Sequence, residues 1–218
     1  AIAKLLSLHS YKTIIVARSK ERLDVVANDI NLEGGDCVPL AVDLACCEGI
    51  DQLRDKVEQY NDISILINNA GCGFFCEVEL MSLDDWNQQF NVNVRAAFLL
   101  SQMVLPHMKE NKKGTIVFIN SIAGLQNIIH STGYVASKFA LRGFAGSLRE
   151  ELREYGIKVM SVFPGAIDTP FWDKIDNAFD RKEMLDLDDC AEMIVNNILS
   201  PGNMVVEDLL VRRIAGDF

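Results

Sequence analysis

Three polar side chains near the middle of the chain have the types and spacing needed for acid/base chemistry. Tyr134 and Lys138 lie four residues apart in the segment YVASK, and Ser121 lies thirteen residues before the tyrosine. Positions i and i+4 share one face of a helix, so the phenol and the ammonium are predicted to be neighbours. An adjacent ammonium lowers the pKa of a phenol from its usual value of about 10. We therefore expect Tyr134 to exchange a proton near neutral pH.

Segments of strand type and helix type alternate along the whole chain. Strands are predicted at 13–17, 37–42, 63–68, 114–120, 158–163 and 204–211, and helices at 1–10, 20–31, 48–60, 83–109, 134–155 and 188–199. Apolar strands that alternate with helices are typical of a parallel sheet covered on both faces. We expect a single Rossmann-like domain over residues 1–218, a doubly wound parallel sheet in a three-layer α/β/α arrangement. The carboxyl ends of its strands share one edge, where ligands bind in such folds, and Ser121 should meet Tyr134 there.

The composition excludes several classes of function. A net charge of −10 over 218 residues disfavours nucleic acid and anionic membranes as partners, and the apolar runs are too short to span a bilayer. The thiols and the three histidines match no zinc template, so we expect no metal site and reduced cysteines in a cytoplasmic protein. The six thiols are Cys37, Cys46, Cys47, Cys72, Cys76 and Cys190.

The order of the motifs resembles that of the short-chain dehydrogenase/reductase family over essentially the whole chain. The motifs are NNAG at 68–71, NVNV with Asn93, INSIAG with Ser121, YVASK and PGAIDTP at 164–170. The resemblance implies that Tyr134 is the proton donor or acceptor and that Ser121 hydrogen-bonds the substrate carbonyl or alcohol. It implies that Lys138 lowers the phenol pKa and holds the nicotinamide ribose. It also implies that Asn93 keeps its helix irregular and anchors a water in a proton relay.

The same resemblance implies a nicotinamide dinucleotide cofactor and a set of contacts to it. NNAG is also explained as a tight turn, and Asp43 as a helix cap, so these signals have structural alternatives. Besides Tyr134 and Lys138, the implied cofactor contacts are Asp43, Leu44, Asn69, Ala70, Gly71, Pro164, Gly165, Ile167 and Thr169.

The end of the first strand favours NADP over NAD. Ala17 stands where a fold specific for NAD has an acid, and Arg18 follows it. An arginine suits the 2′-phosphate of NADP, whereas an acid suits the ribose 2′-hydroxyl of NAD. Ser19 and Arg22 are candidate helpers. The alternative is that Arg18 only caps a solvated turn.

The chain departs from the family pattern at its start. The family begins with a strand and a glycine-rich turn that holds the pyrophosphate, but the first glycine of this chain is Gly34. Either this segment precedes residue 1, or the protein lacks it. We expect the former, because loss of a central strand would leave its apolar neighbours exposed.

The predicted substrate is a small ketone, aldehyde or alcohol. The segment at about 170–187 is placed to act as a lid over the cleft. The short lid and the ending VRRIAGDF resemble small reductases of the 3-hydroxy-acid and sepiapterin-reductase types. Aromatic residues of such a segment also serve simply to anchor it to the core. The candidate substrate contacts are Phe74, Gln126, Ile128, His130, Phe171 and Trp172, with Phe75 and Phe179 as further aromatic candidates.

Two rival functions stay open from the sequence. Related folds carry the same tyrosine and lysine in nucleotide-sugar epimerases and dehydratases, but those have a larger C-terminal substrate domain. A non-catalytic dinucleotide sensor or scaffold is the other rival, although it has no need of a tuned phenol. By resemblance, the helices at 83–109 and 134–155 would pair with symmetry mates in a homodimer or homotetramer.

Overall fold

The computed structural model describes residues 1–60, 62–175 and 180–216. Phe179 and the middle of the predicted lid therefore lie outside the described residues. The helices are α1 (Ile2–Leu8), α2 (Lys20–Leu32), α3 (Cys47–Val57), α4 (Leu83–Phe90), α5 (Ala96–Glu110), α6 (Thr132–Leu152) and α7 (Leu187–Ile198). The strands are β1 (Lys12–Ala17), β2 (Asp36–Ala41), β3 (Ile65–Asn68), β4 (Gly114–Ile119), β5 (Ile157–Pro164) and β6 (Asp208–Val211).

All strand pairs are parallel, and helices cover both faces, as predicted. The order is β1-β2 in one sheet and β3-β4-β5-β6 in the other. In the register of the second sheet, Phe118 of β4 lies beside Ser161 of β5. Parallel neighbours place their carboxyl ends on the same edge, so the segments after β3, β4 and β5 come together there.

The core has two layers, one on each face of β4 and β5. Ile116 and Phe118 pack with α5 and α6 on one face, and Val117 packs with α7 on the other. All three side chains are completely buried. Strands that are apolar on both faces read as continuous hydrophobic runs, which is how this three-layer fold was predicted.

The two sheets are joined by helices and not by strand pairing. Within the described residues, β1 pairs only with β2, and β3 pairs only with β4. On one face, Ile14 and Val16 of β1 pack in a cluster with residues of α3 and α5. On the other face, Ile2 of α1 packs in the cluster that contains Ile65 of β3. The family resemblance implies a central strand that lies between β1 and β3 in the sheet. The described residues supply no strand at that position in space.

Two predicted elements differ from those observed. The helix predicted at 83–109 is interrupted by a π-helical turn, Asn91–Arg95, which confirms the irregular helix that the resemblance implied at Asn93. The last strand is shorter than the predicted 204–211, because pairing with β5 begins only at Asp208. Among the described residues, no helix combines the length and apolar character required to cross a membrane.

Candidate active site

The hydroxyls of Ser121 and Tyr134 meet at the carboxyl end of β4. Ser121 begins the 3-10 turn Ile122–Gly124, and its Oγ accepts a hydrogen bond from the Ala123 amide at 3.1 Å. Tyr134 lies in the first turn of α6, and its phenol hydrogen-bonds with the Ser121 side chain. The structure therefore brings these two side chains together as the sequence predicted.

Lys138 lies one turn further along α6 and is 4% exposed. Its Nζ donates to the carbonyl of Ile119 at 3.1 Å and lies 5.6 Å from the centre of the Tyr134 ring. Asn120 Nδ2 donates to the Lys138 carbonyl at 3.1 Å. Residues at the end of β4 therefore hold both the backbone and the side chain of Lys138. An ammonium has three N–H donors, and two of these have no acceptor in the described part of the chain.

Asn93 joins the NNAG turn to α6. Its Oδ1 accepts from the Cys72 amide at 2.8 Å, and its Nδ2 donates to the Cys72 carbonyl at 2.9 Å. The same Nδ2 donates to Ser137 Oγ at 2.9 Å. A Cβ added at Gly71 would lie 3.8 Å from Lys138 Nζ, so the turn passes close to the ammonium. The π turn places Asn93 at the junction of three segments of the site.

The ionisation of the site differs from the prediction. Burial raises the pKa of Tyr134 to about 12, although its hydrogen bond with Ser121 opposes the change. Burial also lowers the pKa of Lys138 to about 8. The predicted lowering of the phenol pKa by Lys138 is therefore wrong for the protein groups alone, because removal of the phenol from water disfavours its charged form and dominates the change. At neutral pH the phenol keeps its proton.

The cofactor side of the edge carries a free cation. Arg18 follows β1, is exposed, and has no ion-pair partner among the residues described. Its charge acts on the Cys72 thiol, whose pKa is raised to about 11 by burial and lowered in part by Arg18 and Lys138. Arg18 therefore faces the NNAG turn, where Asn69, Ala70 and Gly71 are exposed.

Three predicted cofactor contacts have local structural roles. Ser19 caps α2, because its Oγ accepts from the Arg22 amide at 3.3 Å. Asp43 Oδ1 accepts from the Ala45 amide at 2.9 Å and remains exposed. Leu44 is buried in the cluster between α3 and α5, so its side chain is not available to line a cofactor cleft.

The segment after β5 presents two spare donors. Pro164 is buried at the end of β5, and the Gly165 amide donates to Val211 at 2.8 Å. Beyond it, the Ile167 amide and the Thr169 hydroxyl donate to no group in the described part of the chain. Together with the two spare N–H groups of Lys138 and the guanidinium of Arg18, these donors fit a nicotinamide dinucleotide along the edge.

The described parts of the lid are fixed to this segment by Arg181. Its guanidinium donates to Asp168 Oδ1 and Asp173 Oδ1, each at 2.6 Å, and to the Thr169 carbonyl at 2.8 Å. The Leu185 amide also donates to the Ala166 carbonyl at 2.8 Å. Both described flanks of the lid are thus tied to the turn that follows β5.

Two of the candidate aromatic residues contact the Tyr134 ring. The ring centre of Phe75 lies 5.4 Å from that of Tyr134, and the ring centre of Phe171 lies 6.1 Å from it. The neighbouring Phe74 instead has its amide held by Gln89 Oε1 at 3.1 Å. Trp172 contacts Phe171, with ring centres 5.4 Å apart.

The loop before α6 carries three of the candidate substrate contacts. Gln126 and His130 are exposed, and Ile128 lines a groove with Val135 and Phe139. Positions 135 and 139 lie about 100° around α6 from Tyr134 and Lys138, so this groove adjoins the face that carries the phenol. The assignment of Ile128 as a substrate contact stays a prediction.

Sequence reasoning missed three supporting residues. Gln89 is completely buried and holds the loop before Phe75, while Ser137 and Asn120 hold Asn93 and Lys138. Gln89 precedes Asn93 by four residues, and Asn120 adjoins Ser121. A polar residue that lies close in sequence to a predicted catalytic residue, on an otherwise apolar element, is the pattern that could have identified these supporting residues.

Comparisons with known proteins agree with this geometry. The family model of short chain dehydrogenase matches residues 1–179. A sepiapterin reductase of Chlorobaculum tepidum is 30% identical over 205 residues, which cover 94% of this chain and 84% of that protein. The chain therefore belongs to the short-chain dehydrogenase family. It is an NAD(P)-dependent dehydrogenase or reductase, as predicted.

Solved structures of the family superimpose closely. A metagenomic short-chain oxidoreductase in complex with NADP has a TM-score of 0.85 and 28% identity, with 97% of this chain and 90% of the other covered. L-sorbose reductase from Gluconobacter frateurii, in complex with NADPH and L-sorbose, has a TM-score of 0.88 and 26% identity, with 96% and 89% covered. The sepiapterin reductase and the L-sorbose reductase are named for different substrates, so membership of the family does not identify the substrate here.

The buried ammonium of Lys138 should make stability depend on pH. Its pKa is about 8 in the folded protein and 10.5 as the ordinary value, so the unfolded chain binds more protons between these pH values. Stability should therefore rise with pH in that window. Relative to Lys138→Met, the free energy of unfolding should rise by up to about 3 kcal/mol. Urea unfolding of both proteins at several pH values measures this, and a difference that does not change with pH would contradict it.

Loss of the Arg181 contacts should loosen the lid without unfolding the protein. Arg181→Gln should speed hydrogen exchange at the Asp168 and Leu185 amides, because the guanidinium no longer ties Asp168 to Asp173. Its ion pairs are exposed, so the free energy of unfolding should change little. Arg153→Gln, which removes ion pairs to Glu150 and Glu207 elsewhere, is the matched control. Equal exchange at both amides in the two variants would show that Arg181 does not hold the lid.

Proposed function

We propose that this protein reduces a small ketone or aldehyde with NADPH, or runs the reverse oxidation. The observation that carries this proposal is the hydrogen-bonded pair of Ser121 and Tyr134 directly above the buried Lys138. A hydroxyl pair at the carboxyl edge of a parallel sheet is placed to bind a carbonyl oxygen beside a dinucleotide.

Each of the four polar residues has a distinct role in this proposal. Tyr134 keeps its proton at neutral pH, so it is in the form that protonates a carbonyl oxygen during reduction. Ser121 hydrogen-bonds the same oxygen and orients it. Lys138 returns a proton toward the phenol and binds the nicotinamide ribose with its spare N–H groups. Asn93 positions the NNAG turn beside Lys138. When bound, NADPH supplies the hydride.

The cofactor preference rests on Arg18. It is an exposed guanidinium at the end of β1, and a planar guanidinium binds phosphate in a bidentate manner. The Ile167 amide and the Thr169 hydroxyl are the donors proposed for the nicotinamide carboxamide. Asn69, Ala70 and Gly71 line the adenine-ribose side, with Asp43 near the adenine.

We further propose a cytoplasmic homodimer or homotetramer. Phe98 of α5 and Phe139 of α6 expose 45% and 40% of their surfaces, and both helices are long enough to pair with a second copy. The six cysteines are free, which suits a reducing compartment.

Replacement of the phenol hydroxyl tests the catalytic role. Tyr134→Phe should lower kcat for carbonyl reduction by about 10²- to 10⁴-fold, because the proton donor is lost. NADPH binding, followed by nicotinamide fluorescence, should persist. Tyr155→Phe is the matched control, since Tyr155 lies beyond α6 against Lys109. A Tyr134→Phe variant with full reductase activity would defeat the assignment.

Removal of the guanidinium tests the choice of cofactor. Arg18→Ala should weaken NADPH binding by about 10- to 100-fold, the worth of a charge-assisted hydrogen bond, and leave NADH binding nearly unchanged. Titration of the intact protein with each dinucleotide measures both constants. Equal weakening of the two would show that Arg18 does not read the 2′-phosphate.

A further inference from the structure

An aromatic wall stands beside the Tyr134 phenol. We define it as Phe75, Phe171 and Trp172. Phe75 and Phe171 each contact the Tyr134 ring and meet edge to face, with centres 6.2 Å apart. Trp172 extends the wall, 5.4 Å from Phe171. Phe75 comes from the loop after β3, and the other two come from the lid, so the wall closes on Tyr134 from two sides.

The wall is held in place by specific contacts. A Cβ at Gly73 would lie 2.7 Å from the Phe75 ring and 3.1 Å from the Tyr134 ring, so this close packing requires glycine. Buried Gln89 fixes the adjacent Phe74 amide. On the lid side, the Trp172 indole donates to the Ile167 carbonyl at 3.0 Å. Rings fixed in this way keep a defined apolar surface.

Phe75, Phe171 and Trp172 are only half-buried, so part of each side chain stays accessible beside the Tyr134 ring. A substrate carbonyl that reaches the Tyr134 hydroxyl must place its substituent near these rings. Aromatic faces and edges attract planar apolar groups beyond the effect of buried area.

Among the described residues, the charged groups close to the phenol leave no free counter-ion for a substrate. Arg181 pairs with Asp168 and Asp173. The Lys138 ammonium lies 5.6 Å from the Tyr134 ring, donates to Ile119, and is assigned to the nicotinamide ribose by its two remaining N–H groups. A carboxylate bound beside the phenol would have to compete with that ribose for Lys138, and it would lose its hydration on entering the site.

We propose that the substrate is an uncharged ketone whose carbonyl carbon, or the carbon next to it, carries an aryl or similarly planar apolar group packed against Phe75 and Phe171. This inference rests on the proposed reductase function. In the reaction, the carbonyl carbon gains a hydride from NADPH and the carbonyl oxygen gains the Tyr134 proton. The C=O π bond breaks and its electron pair goes to the oxygen, so the ketone becomes a secondary alcohol. NADP⁺ is released, and Tyr134 recovers a proton from solvent through Lys138.

Four carbonyl compounds separate the contributions of the aryl group and of charge. They are 1-phenylpropane-1,2-dione, butane-2,3-dione, methyl phenylglyoxylate and phenylglyoxylate. Exchange of phenyl for methyl should lower kcat/KM by about 10-fold or more, given what apolar pockets discriminate per group. Exchange of the methyl ester for the free carboxylate should lower it by about 100-fold or more, because the charge is unpaired. NADPH oxidation by the intact protein, followed by absorbance, gives each value.

Variants assign these preferences to the wall. Phe75→Leu and Phe171→Leu should each reduce the phenyl preference several-fold, whereas Tyr155→Leu, beyond the far end of α6 against Lys109, should leave it unchanged. Phe171→Arg should raise the ratio of phenylglyoxylate to its ester, since it supplies a counter-ion. Intrinsic differences in carbonyl reactivity cannot produce a change in ratio between variants.

The outcomes distinguish this inference from the proposed function. Reduction of butane-2,3-dione equal to or faster than that of the phenyl dione overturns the inference and leaves the reductase function intact. A preference for phenylglyoxylate over its ester does the same. Reduction of none of the four compounds overturns the inference even where NADPH binds, and failure of NADPH binding as well overturns the proposed function.

Discussion

The site depends on the burial of one ammonium beneath one phenol. Lys138 is held at the carboxyl end of β4 by Ile119 and Asn120, and this places Tyr134 one turn earlier beside Ser121. Burial of a cation costs free energy, which appears as the lowered pKa of Lys138. That cost is tolerated only because β4 and β5 form a rigid, fully buried centre on which both segments rest.

The hydrogen bonds of Asn93 extend this constraint to the rest of the edge. One amide side chain bonds the Cys72 backbone in both directions and also reaches Ser137. These hydrogen bonds therefore fix the positions of the NNAG turn, the π turn and α6 relative to one another. Such a link makes a site built from three separate segments more precise, because hydrogen bonds as well as packing fix its geometry.

The sequence predicted the parallel fold and the meeting of Ser121, Tyr134 and Lys138, because periodicity and i, i+4 spacing depend on local geometry. It failed where the outcome depends on tertiary surroundings. The pKa of Tyr134 moved opposite to the prediction, since desolvation is invisible in the spacing of residues. The burial of Leu44 in the cluster between α3 and α5 could not be predicted either, because it depends on the packing of those two helices.

The turn after β5 runs directly into the predicted lid, and this continuity couples the sites proposed for the cofactor and the substrate. Ile167 and Thr169, whose donors face the proposed cofactor, lie within four residues of Phe171, and Arg181 binds the Thr169 carbonyl directly. Because this stretch is short and held by hydrogen bonds, a dinucleotide bound at Ile167 and Thr169 would act directly on the position of Phe171 beside Tyr134. The sites proposed for the two reactants are therefore mechanically coupled through one short segment of the chain.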